Sequence, residues 1–336
     1  MRTAITIAWA ASITFTMQFW VGRSTIYRPE LNDRIADAHE AILRNRVPDG
    51  STWTTYGLNS TNIRVGSVFI AEGISRVSGW SAPTAYRMLD TLALFATLVL
   101  LLLFLGRLVP APYPVIGALA FATTLPLTYQ LFYFHPWDRL SLLSWVALLI
   151  LLERRRFGLF TIALPLAMLV KFDVILLPAL YFLLTVPFPP RDGDRRRVIR
   201  SALATTGLFA LTFGTYWALQ AWRPGGFEPV ALGPLAIHNV TMLRDLKLAY
   251  PPFLGLGVPL LLAAVGFSRS ERFARSCAVF AVLLLLVFVV KARFEEFRAL
   301  LPVFVLLLPA ALVGLQSVTE PDALRGAEAV VKASGS

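Results

Sequence analysis

Charge, cysteine and nucleotide-binding motifs are all scarce in this sequence. Only 15% of its 336 residues are charged, whereas soluble domains carry about 25%. A soluble domain with one anchor does not fit that composition. The single cysteine, Cys277, stands at the edge of an apolar run. One thiol cannot close an intrachain disulfide, and a small buried residue is its expected role. No zinc pattern, Walker loop or GxGxxG occurs, so the chain carries no local signature of nucleotide chemistry. What it has in abundance is apolar residues, 57% of the chain. They come in runs that recur from end to end, which defines a polytopic membrane protein. The net charge of +11 then reads as a topology signal rather than a nucleic-acid surface. Arginine supplies nearly all of it, as in proteins of GC-rich bacteria.

The runs predict an all-α fold of about ten transmembrane helices. They fall at 3–22, 88–107, 113–130, 140–152, 158–170, 173–187, 201–221, 252–267, 277–290 and 300–316. The first run follows a short basic start without a cleavage site, so it is expected to be a retained span. Several runs are shorter than the roughly 20 residues that cross a bilayer. They must borrow flanking residues or thin the membrane. Residues 1–316 form one transmembrane domain and 317–336 a loose inner tail. With both termini cytoplasmic, the arginine clusters in "ERRRFG", "PFPPRDGDRRRVIR" and "SRSERFARS" lie inside, as the positive-inside rule requires. A bacterial inner (plasma) membrane is the expected location. The stretch 158–187 admits one kinked helix, two short spans or a re-entrant hairpin. Only the last two keep both flanking arginine clusters inside.

Residues 23–87 are then the first outer loop, with two amphipathic surface helices. In "RPELNDRIADAHEAILRNR", Leu31, Ile35, Ala38 and Ile42 make one stripe, and Asp33, Asp37, Glu40 and Arg44 the opposite one. "GSVFIAEGISRVSGW" is the second, with Ile70, Ile74 and Val77 on one side and Trp80 as an interfacial anchor.

Ionisable groups at or in a membrane are costly, which makes them functional candidates. Here they gather on the outer face: Asp33, Asp37, His39 and Glu40; His135, Asp138 and Arg139; Lys171 and Asp173; His238, Arg244, Asp245 and Lys247; and "KARFEEFR", with Lys291, Arg293, Glu295, Glu296 and Arg298. Each group also has a plain structural reading, as a wet helix face, an interfacial turn or an ion-pair cap. Together they suit a substrate that is half lipid and half anion. Arginine holds phosphate oxygens with a planar fork, and a carboxylate takes the proton of an acceptor hydroxyl. At helical spacing Lys291, Glu295 and Arg298 share one face. Asp33 and then Asp37 are the candidate bases. Arg298, Lys291 and Arg293, positioned by Glu295, are candidates for the phosphate. His135, Asp138, Arg139, Lys171 and Asp173 are candidates for the sugar pocket. No metal ligand set is assigned. The cofactor stays unassigned: a divalent cation is compatible with the acids, and a nucleotide cofactor is not expected.

"ELNDRIADAHEAI" soon after the first span, and "FRALLPVFVLLLPA" before the last, resemble the GT-C superfamily of membrane glycosyltransferases. "HPWDRLSLLSW" and "LVKFDVILLPALYFLL" are similar to segments of related, uncharacterised bacterial membrane proteins. The resemblance implies sugar transfer from a polyprenyl-phosphate donor to an outer-surface glycan or lipid, with an acid of the first outer loop as base. Arg298, Pro302 and Pro309 match the R-x-x-x-P pattern of many members loosely. Two departures stand out. Asp33 is followed by Arg34 rather than by a second acid, and no large outer C-terminal domain follows the last run. The rival readings are a transporter or flippase of a lipid-linked glycan and a non-catalytic membrane subunit of an envelope assembly.

Overall fold

A computed structural model describes residues 2–23, 36, 39–46, 64–129, 137–186, 194–223, 232–242, 244–292 and 296–320. Asp33, Asp37, His135, Arg293 and Glu295 lie outside the described residues. So do the first half of the first surface helix and the tail from 321.

Among the described residues every regular element is helical. In chain order these are α1 (Arg2–Arg23), α2 (Val65–Ser78), α3 (Ala82–Leu108), α4 (Tyr113–Thr124), α5 (Asp138–Glu153), α6 (Phe157–Val170), α7 (Leu177–Thr185), α8 (Arg195–Trp222), α9 (Leu232–Met242), α10 (Leu246–Gly266), α11 (Arg272–Lys291) and α12 (Phe297–Thr319). Short 3-10 turns follow α4, at Leu125–Tyr129, and precede α7, at Phe172–Leu176. Five helices are long and apolar enough to cross a membrane: α3, α8, the Ala249–Gly266 part of α10, α11 and α12. Four stretches are apolar but shorter: Ala4–Phe19, Tyr113–Thr128, Phe157–Val170 and Phe172–Thr185.

The core is built around α12. Its residues from Leu300 to Leu312 are buried without interruption, enclosed by α10, α11, α4 and α5. A helix buried on all sides needs no polar face, and this one has none in its middle turns. Its closest neighbour is α10. A Cβ placed on Gly314 would lie 1.9 Å from the Leu262 carbonyl oxygen, and one on Gly266 would lie 2.2 Å from that of Ala310. The two backbones meet because neither glycine carries a side chain, the usual device for close helix packing in a membrane.

Contacts between distant parts of the chain sort into two ends. At one end Arg107 of α3 donates to both carboxylate oxygens of Glu153 of α5, each at 3.0 Å. Tyr113 bonds Thr319 at 2.7 Å, and Arg272 donates to the carbonyls of Leu183 and Val186. At the other end Gln18 meets Asp90, Arg298 meets Asp138, and Asn239 closes the last turn of α11 by donating to the carbonyls of Val289 and Ala292, both at 2.7 Å. The first may be called the arginine end, and the second the acid–base end.

α2 packs on the protein through the side opposite Ile70 and Val77. Val65, Ser67, Val68 and Ala71 are buried, while Ile70 and Val77 are exposed. Residues 65, 68 and 71 form a second helical stripe, and Gly66 on that side lets α2 come within van der Waals contact of the Leu169 backbone on α6. Two expectations are corrected. The first concerns the start of the following span, which is Ala82 rather than residue 88. Pro83 sits in its first turn, where a missing N–H costs nothing. The second concerns "KARFEEFR", which is not one helix. α11 ends at Lys291 and α12 begins at Phe297, so Lys291 and Arg298 belong to different helices and share no face. The stretch 158–187 is two helices meeting at an extended Lys171 (φ −161, ψ 139), not one kinked helix.

Candidate functional site

Four chain segments bring their charges together at the acid–base end. α5 opens with Asp138 and Arg139. The α6–α7 break holds Lys171 and Asp173. Glu296 and Arg298 open α12, and Arg64 immediately precedes α2. Asp138, Asp173 and Glu296 each stand at or beside a helix N-terminus, where the dipole favours a negative charge. The cations then fill the gaps between them.

Asp138 is the hub. Its Oδ1 accepts from Lys171 Nζ at 3.2 Å and its Oδ2 from Arg298 Nη1 at 2.9 Å. Lys171 also stands 3.4 Å from Asp173 Oδ2, an ion-pair distance without a hydrogen bond. Ser141 Oγ donates to Asp173 Oδ1 at 3.4 Å. Arg298 donates through its other amino group, Nη2, to Glu296 Oε2. Asp138, Lys171, Asp173, Glu296 and Arg298 are all largely buried, each side chain less than one-fifth exposed. Arg64 lies over the Trp137 ring, 4.9 Å from its centre, in the distance range of a cation–π contact. Burial pushes the Arg64 guanidinium down to about 10, Arg298 adding to the effect while Asp138, Asp173 and Glu296 pull the other way. It therefore stays charged at neutral pH.

These six groups balance, three cations against three acids. Two guanidinium nitrogens are nonetheless buried without a hydrogen-bond partner among the described residues, Nε of Arg64 and Nε of Arg298. Both sit on cations, and a buried donor left unmet is costly. An anion with several oxygens is the ligand chemistry they fit.

Deeper at the same end, Arg139 is buried and donates to Thr128 Oγ1 at 3.0 Å. Asp90, inside α3, is 1% exposed and accepts from Gln18 Nε2 of α1 at 2.8 Å. The end of the first surface helix is pinned to two neighbours. His39 Nε2 bonds Glu72 Oε2 at 3.0 Å and its Nδ1 bonds Tyr86 Oη at 3.2 Å. With both ring nitrogens engaged, His39 acts as a clamp rather than a free base. Hydrogen bonds from Arg76 first, and then from His39, hold the Glu72 carboxyl below its usual range. At the other end of this turn Arg223 donates to the Ile42 carbonyl (3.2 Å), Asn45 Oδ1 (2.7 Å) and the Arg46 carbonyl (3.0 Å). Asn45 takes the left-handed conformation (φ 52) that ends a helix.

Of the residues picked from sequence, Asp138, Lys171, Asp173 and Arg298 are brought together, and Arg139 lies beside them. Lys291 is exposed at the end of α11 and forms no ion pair with the group among the described residues. Arg298 is partnered by Glu296 together with Asp138; Glu295, the partner expected from sequence, lies outside the described residues. Arg64, Asp90 and Gln18 were missed. Asp90 had a signal, an acid inside the apolar run "RMLDTLALF". Arg64 had none, because its role depends on where Trp137 comes to lie. Among the described residues no group of three His, Cys, Asp or Glu is arranged to hold a metal ion. Lys171 and Arg298 occupy the space between the acids.

Comparison with protein-family models, with curated proteins and with solved structures gives no match.

Proposed function

We propose that this chain is a membrane glycosyltransferase of the GT-C kind, with about ten spans, that moves a sugar from a polyprenyl phosphate to an acceptor at the outer membrane surface. The observation that carries the reading is the buried, charge-balanced group around Asp138, with unmet guanidinium donors on Arg64 and Arg298. A lipid phosphate entering there accepts those donors. Arg64 joins Arg298 and Lys171 as a candidate phosphate holder, and phosphate as leaving group has its charge stabilised by the same cations. Asp33 or Asp37 supplies the base. Asp138 and Asp173 are already held by cations, so their part is to orient Lys171 and Arg298. Depth supports the reading as well. α6 has 14 residues and so rises about 21 Å, roughly 10 Å short of a hydrocarbon core about 30 Å thick. If its arginine end lies at one boundary, Lys171 sits below the other, at the level of a lipid phosphate drawn slightly inward.

The test is direct. Purified protein is mixed with radiolabelled polyprenyl phosphate, and separately with a polyprenyl-phosphate sugar and acceptor lipids. Saturable binding that weakens in both Arg64→Ala and Arg298→Ala supports the reading. Transfer should fall roughly 10²–10⁴-fold in Asp33→Asn or Asp37→Asn, as for a lost general base. Absence of binding in the wild type overturns it.

One observation favours a second reading, a transporter of a lipid-linked glycan. The helix break at Lys171, flanked by half-length α6 and α7, is the kind of discontinuity that transporters use near their binding sites. Flux of a labelled lipid-linked sugar across proteoliposomes, without any transfer, would favour it.

A further inference from the structure

The arginine end carries a second concentration of charge that the proposed function does not use. Arg154, Arg155 and Arg156 fill the turn between α5 and α6. Arg195, Arg196 and Arg197 open α8, and Arg272 and Arg275 open α11. Arg272 is fixed by its bonds to the Leu183 and Val186 carbonyls at the end of α7. Arg155, Arg197 and Arg275 stand close enough to repel it. These three are exposed, and none has a side-chain partner among the described residues. The acids at this end do little to offset them. Glu153 has both oxygens on Arg107, which leaves Asp194, Glu271 and Glu320 among the described residues.

Topology alone does not ask for this arrangement. The positive-inside rule is met by any excess of Lys and Arg near span ends, however dispersed. Here α7 packs against both α8 and α11, α6 packs against α8, and Arg272 is bonded to the end of α7, so the three connections that carry Arg155, Arg197, Arg272 and Arg275 meet at one end of the molecule. Several stand in first helical turns, where the dipole disfavours a cation. Arg155 is also held at φ 54, a left-handed conformation unfavourable for a residue with a side chain. An anion among them removes the repulsion. Immediately beneath, the same helices turn apolar side chains outward: Leu159 and Ile162 on α6, Ile199 and Leu203 on α8, Val279 and Val282 on α11. A free phosphate has no use for that surface, whereas acyl chains cover it.

We infer that the arginine end binds an anionic phospholipid, its phosphate among Arg155, Arg197, Arg272 and Arg275 and its chains along the exposed apolar side chains of α6, α8 and α11. Clustered cations beside spans hold anionic head groups in this way. The site is independent of the acid–base end and of any activity there.

The test uses the full chain, purified in a neutral detergent. It is titrated with phosphatidylglycerol, with phosphatidylcholine of the same acyl chains, and with inorganic phosphate. Native mass spectrometry reads the bound lipid, and thermal unfolding reads stabilisation. Phosphatidylglycerol should be retained and raise the melting temperature, and phosphatidylcholine should do neither. Arg197→Gln and Arg275→Gln should each weaken retention about fivefold, the contribution of one cation near an anionic head group. Arg44→Gln, at the opposite end, should leave it unchanged. The single variants keep most of the positive charge at this end, so folding and insertion are preserved. Equal retention of the two lipids, or wild-type retention in both variants, overturns the inference. Equal stabilisation by inorganic phosphate overturns the lipid assignment.

Discussion

At the scale of single residues, Asp138 and Arg155 are the two most informative positions. Asp138 is the only acid that touches both Lys171 and Arg298 among the described ion pairs. Asp138→Asn keeps the shape and leaves two buried cations under-compensated, so it should cost roughly 3–5 kcal/mol, the range for breaking a buried pair. Glu296 bonds Arg298 alone, and Glu296→Gln should cost clearly less. Thermal unfolding of the two variants in the same detergent ranks them, and a reversed order would remove Asp138 from the hub. Arg155 ends α5 in the left-handed region, with its N–H on the Leu152 carbonyl and that of Arg156 on Leu151, a helix stop that usually takes glycine. Arg155→Gly should therefore stabilise the chain by about 1 kcal/mol in neutral detergent. Arg155→Ala removes the same charge but keeps the backbone cost. An equal gain from both variants would assign the strain to charge repulsion instead. Individual residues were also where sequence reading was most uneven. Asp138, Lys171 and Asp173 were visible because a charge between apolar runs is conspicuous. Arg64 was not, because nothing in its own segment says which distant charge it will meet.

At the scale of elements, helix existence was legible and helix faces were not. Apolar runs marked the helices at 113, 201, 252, 277 and 300 to within a few residues at most of their ends. α2 is apolar on two sides, and Gly66, rather than hydrophobicity, decides which side meets α6. The contact between α10 and α12 has the same logic, and its test is steric. Gly314→Ala places a methyl group against the Leu262 carbonyl, which belongs to the backbone and cannot rotate away. It should destabilise by at least the roughly 1–3 kcal/mol typical of overpacking, whereas Gly207→Ala, with open space around it on α8, should not. Similar melting temperatures for the two would mean that the helices can slide apart at no cost. The clamp on the first surface helix depends on pH. Glu72 is held below its usual range by Arg76 and His39. A carboxyl whose folded pKa is depressed contributes stability that is present above its unfolded pKa, about 4.3, and is lost as the pH falls through the lower folded value. The wild type should therefore lose more melting temperature than Glu72→Gln on going from neutral pH into that acidic range. Parallel curves would show that Glu72 contributes nothing to docking of the turn at 39–46.

At the scale of the whole molecule, the two ends differ in the kind of charge they carry. The acid–base end pairs its charges, cation against carboxylate, while at the arginine end most guanidiniums have no partner among the described residues. Paired charge has no net preference for either side of a membrane. Unpaired arginine does, because the positive-inside rule acts on uncompensated Lys and Arg near span ends. For this asymmetry the positive-inside rule predicts the arginine end toward the cytoplasm and the group around Asp138 toward the outside, the orientation on which the proposed function rests. The relative placement of two distant positions follows from contacts already described. The turn at 39–46 is bonded to Arg223 at the acid–base end, and Val186, at the end of α7, is bonded to Arg272 at the arginine end. Reporters inserted after Gly50 and after Gly193 should therefore report opposite compartments, the first outside and the second in the cytoplasm. A quadruple replacement of Arg154, Arg155, Arg156 and Arg197 by glutamine should blur the second signal and leave the ion pairs of the first end intact. Reporters on the same side would contradict the two-ended fold. Opposite sides in reversed order would keep the fold but put the Asp138 group in the cytoplasm, where a sugar acceptor of the outer surface cannot reach it.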